Sequence, residues 1–302
     1  NGKKVFPNYL HEPQLHQPFG PYFLANVADS DIIDCNEAGY FSRWHSDFYG
    51  FRNPINTYKS QSDIILIGDS FTEGACENEN GTIAGHLRSL GWDVANLGKG
   101  GSGPLYQLAV LVEYAAVFPT KTVVWVIFTG NDLANLREEK TTKLANYLDK
   151  SFSQNLVHRK ELIDKDLKAF LNSEIRNSNL RIERKLPLIR TGRYGDTLDL
   201  IEAKEKEVAS RFHSEVKKTN SELKIVILNH LRYDHPIQDL TSETIKAFAA
   251  SQSLDYLEFS RGYLEKNKKI YTKSGAHFST QGYQSIGEEI NIWLTEGISK
   301  RL

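Results

Sequence analysis

Methionine is absent from all 302 residues, and the chain starts at Asn1. It therefore reads as a mature or trimmed form, which is compatible with removal of an upstream signal or anchor, although the first residues show no signal-peptide pattern. Long apolar runs are also missing. The longest, Asp63–Ile67 and Val123–Phe128, are strand-sized, so the sequence shows no transmembrane segment. A charge excess of one sign is lacking too: the net charge is −1. That excludes a broad basic field for nucleic acid and argues against an anionic membrane surface as the main partner. Only two cysteines occur, Cys35 and Cys76. They are too few for a disulfide scaffold and have no zinc-site spacing. Two readings stay open: unrelated thiols, or one bridge tying the N-terminal segment to the loop after Ser70. A bridge goes with an oxidising compartment, and an extracytoplasmic location is favoured over the cytoplasm. There is no internal repeat and no low-complexity tract.

What is present is globular, with 40% hydrophobic and 25% charged residues. From Asp63 onward, strand and helix patterns alternate. Ile64–Ile67 is an apolar run bounded by turn residues, the mark of a parallel strand buried on both faces. Ile83, Ala84, Leu87 and Leu90 follow at helical spacing. Val94–Leu97 is a second strand, and Pro104 opens a helix carrying Leu108, Leu111, Val112 and Ala115. Val123–Phe128 and Lys224–Leu228 are the third and fourth strands, with a weak fifth near Tyr256–Leu257. Tyr283, Ile286, Ile290 and Trp293 share one face of a closing amphipathic helix. This order predicts a three-layer α/β/α sandwich on a mainly parallel, flavodoxin-like sheet of order 2-1-3-4-5.

Two regions depart from the rhythm. Residues 1–60 are rich in Pro, Gly, Asn and aromatics, and are expected to be a loop-rich extension packed on the core. Its aromatics are expected mainly to cover the core, with a sugar-stacking surface as the sharper alternative. Residues 61–302 form the main domain, interrupted at about 136–215 by a charged helical insertion. Leu144, Tyr147 and Leu148, then Leu162, Leu167, Phe170 and Leu171, carry its helical spacing. A lid, a substrate wall, a dimer face and a solvated excursion are all compatible with it.

Three loops follow the first three strands: Gly68-Asp69-Ser70, Gly98-Lys99-Gly100-Gly101-Ser102-Gly103 and Gly130-Asn131-Asp132. With strand order 2-1-3 they converge beyond the carboxyl ends of the strands, where open α/β sheets bind ligands. Acyl transfer at a serine needs a hydroxyl, a base, and donors aimed at the developing oxyanion. Ser70 offers the hydroxyl and a backbone N–H. A glycine of the second loop offers a backbone N–H free of side-chain obstruction, and Asn131 an amide. His277, just before the closing helix, is the candidate base.

These blocks, in this order, resemble the SGNH (GDSL-type) serine hydrolases. Gly68-Asp69-Ser70 resembles the first block, Asn96 with Gly101 the second, Gly130-Asn131-Asp132 the third and His277 the last. The resemblance covers roughly residues 63–135 and 270–295. It implies Ser70 as nucleophile, His277 as base, Gly101 and Asn131 in the oxyanion hole, and no cofactor. The segment Asp47–Pro54 is more loosely similar to one in bacterial members that modify surface polysaccharides, which implies an O-acetylated saccharide ester as substrate. An acyltransferase using the same site and a non-catalytic carbohydrate-binding module are the alternatives.

One departure bears on the chemistry. Where such hydrolases place Asp three residues before the histidine, this chain has Ser274. A backbone carbonyl or a remote carboxylate must then orient His277, and Asp234, Asp255 and Glu258 are candidates. Two other patterns are decoys. Gly98–Gly103 spells G-x-G-x-x-G, but it follows the second strand and no acidic residue lies at the expected distance. The G-x-S-x-G elbow of the ordinary α/β-hydrolases is missing. The nine scattered histidines suggest no metal site.

Overall fold

The computed structural model describes residues 5–8, 23–59, 61–178, 198–230, 236–266, 269–272, 277–296 and 300–301. The N-terminal part contains three three-residue strands, β1 (Val5–Pro7), β2 (Asp31–Ile33) and β3 (Arg43–His45), which pair as a small sheet in that order. Strands this short show no period in a sequence, which is why the segment reads as irregular.

The core follows. β4 (Ser62–Ile67) leads into α1 (Ser70–Glu73) and α2 (Ile83–Ser89). Next come β5 (Val94–Asn96), α3 (Pro104–Tyr114), β6 (Thr120–Phe128) and α4 (Asp132–Glu139). α5 (Lys160–Ser178) and α6 (Leu198–Lys218) precede β7 (Glu222–Leu228), α7 (Pro236–Gln252) and β8 (Tyr256–Phe259). α8 (Arg261–Lys266), α9 (Thr280–Glu296) and β9 (Lys300–Arg301) complete the chain. The large sheet has the order β5-β4-β6-β7-β8-β9, and every neighbouring pair is parallel. Counted from β4, this is the 2-1-3-4-5 order with a two-residue strand added at one edge.

Alternate residues of each central strand feed two different cores. Ile65, Ile67, Val123, Trp125, Ile127, Ile225 and Ile227 pack with α3, α6 and α7 on one face. Ile64, Leu66, Val124, Val126, Phe128, Val226 and Leu228 pack with α2 and α9 on the other. Burial on both faces is why these strands read as unbroken apolar runs rather than as alternation. Each such side chain removed from water contributes roughly 1.5–3 kcal/mol, so strand positions and register are strongly specified.

The stretch expected as a helical insertion is more integrated than its charge suggests. Val208, Ala209, Phe212 and Val216 of α6 lie in the first core, and Phe212 stacks on Trp125 with ring centroids 4.2 Å apart. The helical spacing of Leu144, Tyr147 and Leu148 is realised as a 3₁₀ run, Lys143–Leu148. Residues 179–197 of this stretch lie outside the described residues. Among the described residues, no helix is long and apolar enough to cross a membrane.

The aromatics of the N-terminal segment mostly cover the core. Phe51 is fully buried, and its ring meets Tyr114 edge-on at 4.9 Å. Tyr49 packs against Tyr114 and Phe118.

Candidate active site

Ser70 sits at the first turn of α1, directly beyond the carboxyl end of β4. Asp69 caps this turn, its side chain accepting from the Phe71 N–H at 3.0 Å. β4 lies between β5 and β6, where the chain reverses its direction across the sheet. The loops after all three strands therefore meet here, as the topology requires.

Hydrogen bonds tie these loops together. The Gly68 carbonyl accepts from the Lys99 N–H at 3.0 Å and from Ser102 Oγ at 3.2 Å. The Asn96 side chain donates to the Thr72 carbonyl at 2.8 Å and accepts from the Gly98 N–H at 2.9 Å. A Cβ at Gly98 would stand 2.4 Å from the Glu73 nitrogen, so the second loop reaches the nucleophile turn only because residue 98 is glycine. Gly101 has φ +78°, a left-handed conformation that also favours glycine. Its carbonyl accepts from Asn135 Nδ2 at 3.0 Å, while the Asn135 N–H donates to the Asn131 carbonyl at 2.9 Å. Gly101 and Asn131 are thus on adjoining loops. Glu139 of α4 fastens the same pair, accepting from the N–H groups of Gly103, Leu105 and Tyr106 at the start of α3.

Beneath α1 lies a buried polar clamp. Lys99 Nζ donates to Glu73 Oε1 at 3.1 Å, Asn8 Oδ1 at 2.9 Å and Asn26 Oδ1 at 3.3 Å. Glu73 Oε2 accepts from the Gly100 N–H at 2.9 Å. From the Asp47–Pro54 segment, Arg52 donates to the Gly74 carbonyl at 2.7 Å and to the Glu77 carbonyl at 2.5 Å. Asn53 brackets Asn96, taking its N–H at 2.7 Å and donating to its carbonyl at 3.0 Å. This segment, whose aromatics suggested a sugar-stacking surface as an alternative, supports the site loops from behind.

His277 arrives from the far end of the chain, three residues before α9. Its Nε2 lies 3.0 Å from Ser70 Oγ, and its ring packs 5.4 Å from that of Phe71. Its Nδ1 lies 3.0 Å from Glu37 Oε1. The other oxygen, Glu37 Oε2, accepts from the His277 backbone N–H at 3.1 Å and from Thr272 Oγ1 at 3.2 Å. Hydroxyl, imidazole and carboxylate form one row, the arrangement that lets an imidazole take a serine proton.

The carboxylate at the end of that row is not one the sequence suggested. Asp255 is engaged by Lys224 Nζ at 2.8 Å. Glu258 accepts from Asn229 and Ser242, each at 3.0 Å. Asp234 and Ser274 lie outside the described residues. Glu37 precedes His277 by 240 positions, in a segment expected mainly to cover the core. One signal pointed to it: the possible bridge between Cys35 and Cys76. That bridge is present, spanning 41 positions with Cα atoms 4.8 Å apart. It sets Glu37 beside the loop that follows α1.

The electrostatics follow from these contacts. Burial acts to raise the Glu37 carboxyl, but the hydrogen bond and charge of His277 outweigh it and hold it at about 2. Burial acts to lower His277, and the Glu37 hydrogen bond and charge, with Asp69 and Asp34 further away, leave it raised. Burial pushes Asp69 up to about 7, and raises Asp132 well above the carboxylate range with help from the Asp69 charge. Among the described residues, one grouping has metal-ligand atoms close together, Cys35, Cys76 and His277, within 4.8 Å. Its two sulfurs are joined to each other, and His277 Nδ1 already faces Glu37.

Among solved structures, the chain is similar to a protein described as lipolytic and of the G-D-S-L family from Desulfitobacterium hafniense DCB-2. Identity is 14%, coverage is 77% of this chain and 99% of that one, and the TM-score is 0.43. It is also similar to a GDSL-like lipase from Bacteroides thetaiotaomicron VPI-5482, with 16% identity, coverage of 81% and 92%, and a TM-score of 0.45. No curated protein matches. The family model described as GDSL-like Lipase/Acylhydrolase matches residues 64–290, from the strand that feeds Ser70 to the helix behind His277. With most of its length matched, this chain belongs to the GDSL-like lipase/acylhydrolase family.

Proposed function

We propose that the protein is a serine esterase that cleaves O-acyl esters through a covalent acyl-enzyme. The observation that carries this reading is the 3.0 Å approach of His277 Nε2 to Ser70 Oγ. Ser70 Oγ attacks the ester carbonyl while His277 takes its proton. The tetrahedral oxyanion is held by the backbone N–H groups of Ser70 and Gly101 and by the Asn131 amide. His277 then returns the proton to the leaving alkoxide. Water, activated by the same imidazole, releases the acid.

The substrate class we favour is an O-acetylated saccharide. Asp47–Pro54 resembles the corresponding segment of polysaccharide-modifying hydrolases. Tyr40 and Phe41, on the turn that carries Glu37, are 40% and 59% exposed and offer stacking faces. An acceptor hydroxyl in place of water converts the same cycle to acyl transfer. The disulfide supports an extracytoplasmic setting.

Two measurements test the reading. A fluorophosphonate probe should label Ser70, located by peptide mapping. Ser70→Ala should lower the hydrolysis of p-nitrophenyl acetate by about 10⁴-fold or more, the scale of losing a triad nucleophile. Labelling elsewhere would remove Ser70 as the nucleophile, and equal rates would leave only a binding module.

A further inference from the structure

The hairpin that bears Glu37 is an unusual carrier for a group facing a catalytic imidazole. It closes where the Ser42 N–H donates to the Cys35 carbonyl at 3.2 Å and the Asp34 N–H to the Ser42 carbonyl at 3.0 Å. Between these rungs, Asn36, Gly39, Tyr40 and Phe41 are exposed, and Glu37 and Ala38 only half-buried. No apolar side chain of the turn is sunk into either core. Packing, which places Ser70 and the loops beside it, does not place Glu37.

What does hold the turn is the Cys35–Cys76 bond, two residues from Glu37 and two residues beyond Gly74, the C-cap of α1. Cys76 is fully buried and has φ +63°, a conformation rarely adopted by residues with a side chain. Its N–H donates to Asp34 Oδ2 at 3.2 Å, and its Sγ lies 3.7 Å from His277 Nδ1. Other ties of the turn are polar and partly exposed. Tyr40 Oη donates to Glu77 Oε2 at 3.0 Å, and the Arg43 N–H reaches Asn78 Oδ1 at 3.4 Å.

We propose that Glu37 is the positioning residue that orients His277, and that the Cys35–Cys76 disulfide keeps it in place, so that the esterase works in its oxidised form and loses most of its activity when reduced. The inference rests on the Ser70–His277 reading above. Glu37 fixes the ring by binding Nδ1–H, which leaves Nε2 free to accept the serine proton, and it stabilises the imidazolium that forms. A dithiol reductant delivers two electrons and two protons to the bond. The bond becomes two thiols while the reductant closes to its own disulfide. The hairpin then has no covalent tie near Glu37, and the carboxylate samples positions away from Nδ1.

The decisive experiment is a double-mutant cycle on p-nitrophenyl acetate hydrolysis, with kcat/KM followed against pH. It compares the native chain, Glu37→Gln, Cys35→Ala/Cys76→Ala and the triple variant. Glu37→Gln should lose on the order of 10²- to 10⁴-fold. The charged groups around His277 are Glu37, Asp69 and Asp34. Removing the nearest charge should move the acid limb of the profile to lower pH, which a merely structural role for Glu37 would not do. Glu37→Asp should retain more activity than Glu37→Gln. Removing the disulfide should cost most of the native activity and little more once Glu37 is already Gln, because the two act through one contact. Equal losses in both backgrounds, or a fully active Cys35→Ala/Cys76→Ala variant, overturn the role of the disulfide. An unchanged rate and acid limb in Glu37→Gln overturn the role of Glu37. If the cysteine variants fold poorly, native protein reduced with dithiothreitol and freed of reductant before assay replaces them; undiminished activity there also refutes the redox claim. A parallel Ser70→Ala variant separates the failures. If it stays active, the esterase reading itself is wrong; if it is dead while Glu37→Gln matches wild type, only this inference falls.

Discussion

The carboxyl edge of the sheet and the Cys35–Ser42 hairpin place their side chains by different physics. At the sheet edge, Ser70, Gly101 and Asn131 are carried by loops a few residues beyond strands buried on both faces. Their positions follow from strand order and are locked by the buried clamp and by Glu139. The hairpin has no such support. A single covalent bond and a few half-exposed hydrogen bonds hold Glu37. A region placed by packing should fail only when the fold fails. A region placed by a tether should fail while the fold survives.

Three further changes sharpen that contrast. The largest effect is expected at the clamp. Lys99→Met leaves the Glu73 carboxylate buried without its cation, which should cost about 3–5 kcal/mol in urea unfolding. Activity of the variant that remains folded should fall as well, since Gly100 hangs from the same carboxylate. A loss near zero would mean that the clamp does not hold the second loop. A smaller and purely kinetic effect is expected for Asn131→Ala. Its kcat should drop by about 10²-fold or more with the melting temperature little changed. A wild-type rate would take Asn131 out of the oxyanion hole.

The smallest effect lies in acid. Glu37 is held at about 2 against an ordinary 4.5. A carboxyl depressed in the folded state stabilises it above its unfolded value and loses that contribution as pH falls through the folded one. Stability should therefore decline between pH 4.5 and about 2, and Glu37→Gln should flatten that part of the curve. Parallel curves for the two proteins would show that Glu37 is not ionically tied to His277. The rate also rises with pH, but over a higher range set by the imidazole. His277 is raised, so kcat/KM should climb with pH through a value above 6.5, where the imidazole becomes the neutral base.

The legible parts of the molecule are those where local pattern and burial coincide. The runs at 64–67, 123–128 and 224–228 announce strands because both faces of the sheet are covered. Even the weak signal at Tyr256 marks the start of β8. Pro104 opens α3, and the stripe Tyr283, Ile286, Ile290, Trp293 is the buried face of α9. The three-residue strands of the N-terminal part escape such reading, because three residues establish no period. The charge of α6 hides its apolar face for a different reason. Its exposed side carries enough Glu and Lys to dominate the average, while Val208, Ala209, Phe212 and Val216 point inward.

From the amino-acid order alone came the layered sheet, its strand sequence and the loops at 70, 101 and 131, since each depends on hydrophobic period and on residues only a few positions apart. The carboxylate beside His277 depended on the folded chain. Glu37 and His277 meet because a disulfide and a half-exposed turn close a gap of 240 positions, and contacts that distant leave no periodic trace along the chain.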